Sequence, residues 1–533
     1  MHRFDPQHDL PRPIDRRTLL RLTAVGAGSL SLAASIARAG ASAPTGDRPA
    51  PRLAAAQATP KPGGTLKIGL NTDPDTLDPH LSGTLSAWFV WDQVYSTLVG
   101  YTADYQIVPD LATAWEQVDD ITYSFTLREG VTWHDGTPFT VDDVKATVER
   151  IADPATASPW QGKWTPVASM DTSKPNTITF KLNEPYAPFL HNLTYLAILP
   201  KNADSAKLKN TAVGTGPFKF VEWIPGRSVT LERNEAYYVE GQPYLDTLDF
   251  RVTPDNTART TGLRTGELDW VEYVPFKDID LLQQDGKLEV VGGPSSWYDY
   301  IRVNGHTRPE LKDVRVRQAM AWAMDRDEYV DSALFGHGTP LRGGPIPPWS
   351  WAYSNQEIYP QQDYDKAKAL LQEAGFGDGF GVKLIAPTNY EEMVSNAQIF
   401  AEQMKPLQID VTVESLEWST FLASTDYDLM SIAWSSFVDP DEYTYLTFHS
   451  GEPWELTGIT DAELDKLMDE GRTTLDQAKR KEIYSQVERK IAELAPYLFI
   501  DLHDAYEAYQ PYVKGYAHFA SGIRTMEAVW LEK

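Results

Sequence analysis

Apolar residues recur along this chain with two different spacings, and the changes of spacing mark its elements. GGTLKIGL, from Gly63, alternates apolar with small or polar residues and breaks at NTDPDTLDPH, which predicts a strand followed by a turn-rich loop. TYSFTLREGVTWHDG alternates through Tyr123, Phe125 and Leu127, with turns at Gly130 and Asp135-Gly136, and predicts a hairpin. The spacing then lengthens. Val141, Val144, Val148 and Ile151 share one helical face, and Thr140, placed just before Asp143 in the first turn, is positioned to cap it. VRVRQAMAWAM, from Val314, predicts a helix, and Asp325 caps a second that ends near Gly336. DYDKAKALLQEAG predicts a capped helix closed by Gly375, and Glu391 to Met404 predicts another ahead of a strand carrying Ile409, Val411 and Val413. Thr460 to Leu494 holds two more helices, the second with Ile483, Val487, Ile491 and Leu494 on one stripe and a stop before Pro496. Strands alternating with helices make an α/β chain, and no short internal repeat is present.

The amino-terminal end has a different character. Arg16 and Arg17 in DRRTLLRL precede an uncharged stretch from Leu22 to Ala37, and two small-x-small sites come after it, Ala37-Arg38-Ala39 and Ala41-Ser42-Ala43. This layout predicts a twin-arginine-type export signal over residues 1–43. A membrane anchor is the alternative, but the uncharged stretch is short of the ~20 apolar residues a spanning helix needs and is diluted by Gly and Ser. Residues 44–62, rich in Ala and Pro, read as a linker. The chain has no Cys, so no lipidated cysteine and no disulfide contributes, and the fold rests on its own core. The chain beyond Gly63 is longer than one core organises, which predicts two large lobes or more. The net charge of −27 repels phosphate backbones and anionic headgroups, which sets nucleic-acid binding aside.

A set of ordered segments carries a resemblance. GGTLKIGLNTDPDTLDP is followed by VPDLATAWEQVDDITYSFTLREGVTWHDGTPFTVDDV, by GTGPFKF at Gly214 to Phe220, and by RNEAYY. Then come VRVRQAMAWAMDRDEYV, the GTPLRGGPIPP loop, YDKAKALLQEAGF, and IAWSSFVDPDEY at Ile432 to Tyr443. In this order and spacing the chain resembles extracellular solute-binding protein family 5, the dipeptide, oligopeptide and nickel-binding group of transporter receptors. The resemblance implies a two-lobed α/β fold of the periplasmic-binding-protein kind, class II type, with an extra subdomain in the first lobe and a hinge that the chain crosses twice. It places lobe I at residues 63–298 with the subdomain at about 101–210, lobe II at 299–505, and a return to lobe I at 506–533. The crossings fall near Tyr298 to Asn304 and Asp501 to Tyr506. It also implies a monomer that captures a small-molecule solute outside the cytoplasm by hinge closure, performs no chemistry on it, uses no cofactor, and delivers it to a permease pair driven by cytoplasmic ATPases.

Enzyme motifs are missing. There is no G-x-S-x-G elbow, and GTGPFK lacks the third glycine of a dinucleotide loop and the Gly-Lys-Ser/Thr of a P-loop. No paired-His metal motif occurs, and Asp73, Asp75 and Asp78 lack the spacing of a calcium loop and read as turn chemistry. His134-Asp135 sits at a turn where Asp-Gly is structurally expected. No catalytic residue and no metal ligand is assigned, and a secreted hydrolase is the remote reading.

The candidate ligand residues come from the resemblance. Trp434 matches the tryptophan that lines the cleft in peptide-binding relatives, and Trp418 matches another in EW-x-x-FL. An aspartate three residues after the cleft tryptophan takes the peptide α-ammonium in those relatives; here that position is Phe437, with Asp439 two residues later. Gly381 to Ser450 contains no Arg to hold a peptide carboxylate, and PTNYEE supplies Asn389 and Tyr390 instead. The 16 Trp and 26 Tyr provide ample aromatic surface for peptide side chains or sugar rings. The expectation is a peptide-class solute other than a free zwitterionic dipeptide, with a neutral oligosaccharide as the alternative.

Overall fold

Two long strands, Glu289–Val303 and Tyr497–Tyr509, organise the computed structural model, which describes residues 59–435 and 438–533. The expected export signal and most of the expected linker lie outside the described residues. The two strands pair antiparallel from Glu289↔Tyr509 to Arg302↔Tyr497 and form the middle of an eleven-stranded sheet. On one side lie Leu429–Ser435, Phe380–Pro387 and Ile409–Leu416; on the other lie Trp270–Val271, Thr65–Leu70, Thr247–Val252, Ser228–Arg233 and Phe218–Ile224. Gly292 lies in this ribbon at φ +153°, and a Cβ there would sit 2.1 Å from the Ala505 carbonyl oxygen, so only glycine lets the strands approach so closely.

The two ends of the ribbon feed different cores. Ile301, Val303, Leu498 and Ile500 pack with Val316, Met320, Phe400 and Leu429. Beyond the other end, Trp270 joins Leu66, Ile68, Phe89, Phe250 and Leu531 in a separate cluster. Leu384, Ile385 and Ala386 are all buried, as expected of a strand with parallel neighbours on both sides and its faces covered.

A third core runs from Leu98 to Ile198 around a four-stranded antiparallel sheet. Here the structure departs from the predicted hairpin. Thr122–Leu127 does not pair with the segment after Gly130; it lies between Ala112–Asp119 and Thr177–Leu182. Tyr123, Phe125 and Leu127 need a covered face, and the three-strand arrangement buries all of them, which one hairpin cannot do. Val131 to Phe139 instead closes its own tight turn through Thr132↔Pro138. The helix predicted after Thr140 is Val141–Ala152, and Asp143 Oδ2 accepts from the Thr140 amide at 2.7 Å and its hydroxyl at 2.9 Å. His134 accepts at Nδ1 from the Gly214 amide at 3.2 Å and contacts the Gly216 carbonyl through Nε2 at 3.0 Å, so it fastens a turn. That turn is glycine because a Cβ at Gly214 would come 1.9 Å from the Val94 carbonyl oxygen.

Candidate functional site

Sheet topology gathers the carboxyl ends of three strands. Phe380–Pro387 runs parallel to both Ile409–Leu416 and Leu429–Ser435, so Asn389, Tyr390, Trp418 and Trp434 emerge at one edge. In open α/β sheets this edge is where ligands bind. The Tyr390 ring meets Trp418 edge-on at 5.2 Å, and Trp418 stacks on Phe421 at 5.8 Å, which holds both rings in place. From the opposite side Tyr273, just after the strand Trp270–Val271, reaches Tyr390 at 6.1 Å. Trp434 packs on Trp454 at 5.2 Å, Trp454 lies 6.3 Å from Trp160, and Trp160 lies 5.9 Å from Trp88. A run of indole rings therefore leads from Trp434, packed against the cluster of Tyr298, Tyr443 and Phe499, to Trp160 on the third core and Trp88 on the core around Trp270.

Polar atoms are left free among these rings. Both amide atoms of Asn389 and the indole N–H groups of Trp434, Trp454 and Trp297 are buried without a protein partner. A buried donor or acceptor left unmade costs about 1–3 kcal/mol, so these groups favour a polar guest between aromatic walls. The strand edge adds main-chain groups: Leu429–Ser435 pairs with Phe380–Pro387 only at Leu429 and Met430, while its other edge is paired as far as Ser435. From Ile432 to Ser435 one side of the strand is without a ladder partner among the described residues.

Charges nearby are engaged with one another. Asp439 caps the helix Pro440–Phe448, accepting from the Asp441 amide at 3.0 Å, and Arg480 donates to its two oxygens at 2.8 Å each. Burial opposes the Asp439 charge, but Arg480 outweighs it and holds the carboxyl at about 2. Asp441 is paired with Arg472 at 2.7 Å and Glu442 with Lys163 at 2.7 Å. Asp439, selected from its distance to Trp434 along the sequence, is thus fully buried and paired with an arginine 41 residues away. Phe437 lies outside the described residues.

Of the residues that line one cavity between the cores, sequence reasoning singled out Tyr390 as a ligand contact but not Tyr273, Phe276, Trp297, Glu392 or His503. Glu392 opens the helix Glu391–Met404 and accepts from the Tyr273 hydroxyl at 2.7 Å. Burial, with the nearby Asp299 charge adding to it, pushes the Glu392 carboxyl up to about 7. Asn389-Tyr390 was legible beside it, but Glu392 carried no distinguishing pattern in an acidic chain.

The model of bacterial extracellular solute-binding proteins, family 5 Middle, matches residues 106–454. The oligopeptide-binding protein AppA of Bacillus subtilis is 29% identical over 510 residues, which cover 89% of this chain and 93% of that protein. The solved structure of AppA in complex with a nonapeptide superposes with a TM-score of 0.82 at 28% identity, covering 89% of this chain and all of that one. The protein AgaA from A. tumefaciens R10, solved in complex with agropinic acid, gives a TM-score of 0.81 at 29% identity over 88% of this chain and 99% of its own. The expected two-lobed periplasmic-binding-protein fold is therefore the fold of this chain, and no described helix is long and apolar enough to cross a membrane. This chain belongs to family 5 of the bacterial extracellular solute-binding proteins.

Proposed function

We propose that the protein is the capture component of an ABC importer, exported by its leader, and that it closes its lobes on a peptide-class solute and passes it unchanged to a membrane permease driven by cytoplasmic ATPases. The observation that carries this reading is the strand edge from Ile432 to Ser435, which includes Trp434, has no ladder partner on one side among the described residues, and lies at the sheet end where Asn389 and Tyr390 emerge. An extended peptide adds to such an edge through main-chain hydrogen bonds while its side chains enter aromatic pockets. Trp434, Asn389 and Tyr390 are the proposed contacts, Trp418 holds Tyr390, and Phe437 enters by its place after the strand. Asp439, Asp441 and Glu442 are each neutralised by a basic partner, so a free dipeptide finds no carboxylate for its ammonium there. AppA, named for oligopeptides and solved with a nonapeptide, supports the longer class.

Calorimetric titration of the mature protein with dipeptides, peptides of five to nine residues, neutral oligosaccharides and agropinic acid tests the reading. Longer peptides bind at one per chain and are recovered intact. Exclusive binding of a saccharide or of agropinic acid transfers the site to that class, and turnover of any of them refutes a capture role.

A further inference from the structure

We infer that the two crossing strands carry a divalent-cation site built by Asp299, Asp501 and His503. Asp299 stands directly opposite Asp501, and His503 stands opposite Trp297 two residues further along the same strand. Residues two apart on a strand share a face, so Asp501 and His503 project together. Register shifts between Pro294 and Trp297 and between Asp299 and Tyr300 bracket the group, and such bulges re-aim side chains. One ligand atom from each of the three residues lies within 4.8 Å of the others. Donors held about 2.0–2.2 Å from a common ion fall inside that separation.

The decisive observation is Asp501. It is fully buried, and no N–H or hydroxyl donor among the described residues reaches either of its carboxylate oxygens, which lie instead beside the Asp299 carboxylate. Asp299 is 1% exposed with one oxygen unpartnered, and its other oxygen lies 2.7 Å from His503 Nδ1. No Lys or Arg pairs with either aspartate among the described residues, whereas Asp439, Asp441 and Glu442, equally buried, each have one. Glu392 adds a further buried carboxylate close by. Buried carboxylates are met in proteins by protonation, by a basic partner or by a metal ion; Asp299 has only His503 beside it, and Asp501 has no basic partner among the described residues.

Two carboxylates and one imidazole form a mixed oxygen and nitrogen set of the kind that suits Zn²⁺ or Mn²⁺. His503 and Glu392 line the cavity between the lobes, which supplies an entry path and room for water to complete the coordination. A bound ion would clamp together the strands on which both lobes ride. This inference is independent of the solute-capture reading, since the ion is sought in protein without solute.

The test is elemental analysis of the purified protein, followed by EDTA dialysis and titration with Zn²⁺ and with Mn²⁺, read by calorimetry and thermal denaturation. One ion binds per chain, EDTA lowers the melting temperature and the ion restores it. Asp501→Asn, which keeps the volume, weakens binding by more than about 100-fold, beyond the loss typical of removing an outer-shell partner. Circular dichroism and elution volume establish that the variant is folded; should it fail to fold, His503→Gln serves in its place. Absence of a bound ion overturns the inference, and an unchanged or raised melting temperature in Asp501→Asn then identifies a proton shared by the aspartates. A folded variant that retains the stoichiometric ion overturns it equally, by assigning the ion to the acidic surface.

Discussion

Arg480 spans both carboxylate oxygens of Asp439 at 2.8 Å each, and the two side chains are almost wholly inaccessible to water. Removing one partner strands the other as a buried charge, which costs about 3–5 kcal/mol. Arg480→Ala is therefore expected to lose stability on that scale in urea denaturation. Any folded fraction keeps its solute affinity within about threefold, because the pair supports the helix after the site without touching the guest. A large affinity loss at unchanged stability would move Asp439 into the site.

Trp434 presents an unpartnered indole N–H beside the open strand edge. Trp434→Ala is expected to weaken solute binding by about 10–100-fold, the range of an aromatic anchor truncated at the centre of an interface. Thermal denaturation without solute shifts little, since Trp434 is only partly buried. Equal affinities in variant and wild type would exclude the proposed contact.

Lys163 and Glu442 meet at 2.7 Å, with 7% and 3% of their side chains exposed. Lys163 follows Trp160 of the third core, while Glu442 belongs to the helix Pro440–Phe448 packed on the far side. If the lobes separate, both charges return to water, so loss of the pair penalises closure more than folding. Lys163→Met is expected to lower solute affinity about tenfold or more and to leave the solute-saturated protein with a larger radius of gyration in solution scattering. An unchanged radius and affinity would show that the pair is no closure contact.

Glu488 is buried against Ser354, whose hydroxyl donates to it at 2.5 Å, and the Ile346 amide, which donates at 3.2 Å. Lys481 is the charged group that also acts on it, and burial raises its carboxyl from 4.5 to about 7. A group with a raised folded value binds its proton more tightly when folded. Its contribution is fully present below pH 4.5 and is lost as pH rises through about 7. Melting temperature is expected to fall over that window, and Glu488→Gln is expected to flatten the fall. A parallel profile in the variant would assign the slope to other acids.

Local features of the chain could be read because their partners are local. Thr140 with Asp143, Asp363 ahead of Tyr364–Ala374 with Gly375 at its end, and Glu391–Met404 all arise from residues within a few positions of one another. The same limit explains what escaped. The partner of Thr122–Leu127 differs from the predicted one because strand pairing is settled by which neighbour buries Phe125, and that neighbour, Thr177–Leu182, lies well beyond the next turn. Asp73, Asp75 and Asp78 read as turn residues, yet Asp73 also accepts from the Trp223 indole at 3.0 Å and Asp78 pairs with Arg150. Among the candidate site residues, Asn389, Tyr390, Trp418 and Trp434 converge because parallel strands end together, whereas the commitment of Asp439 to Arg480 arises from packing across helices. Glu392 and Tyr273 come from opposite sides of the cleft, and no spacing rule connects them.

The paired crossing strands also set an order of assembly. Trp270–Val271 pairs on one side with Thr65–Leu70 and on the other with Tyr497–Tyr509, and Leu66 shares its cluster with Met526, Val529 and Leu531 near the other end of the chain. The half of the protein synthesised first therefore waits for the last residues to be made before its own sheet is complete, and such distant pairing is slow to form. The core of Ile301, Val316, Met320, Phe400 and Leu498 draws on one contiguous stretch of chain and can gather earlier. Loss of a few residues from the carboxyl terminus would accordingly damage the lobe that begins the sequence.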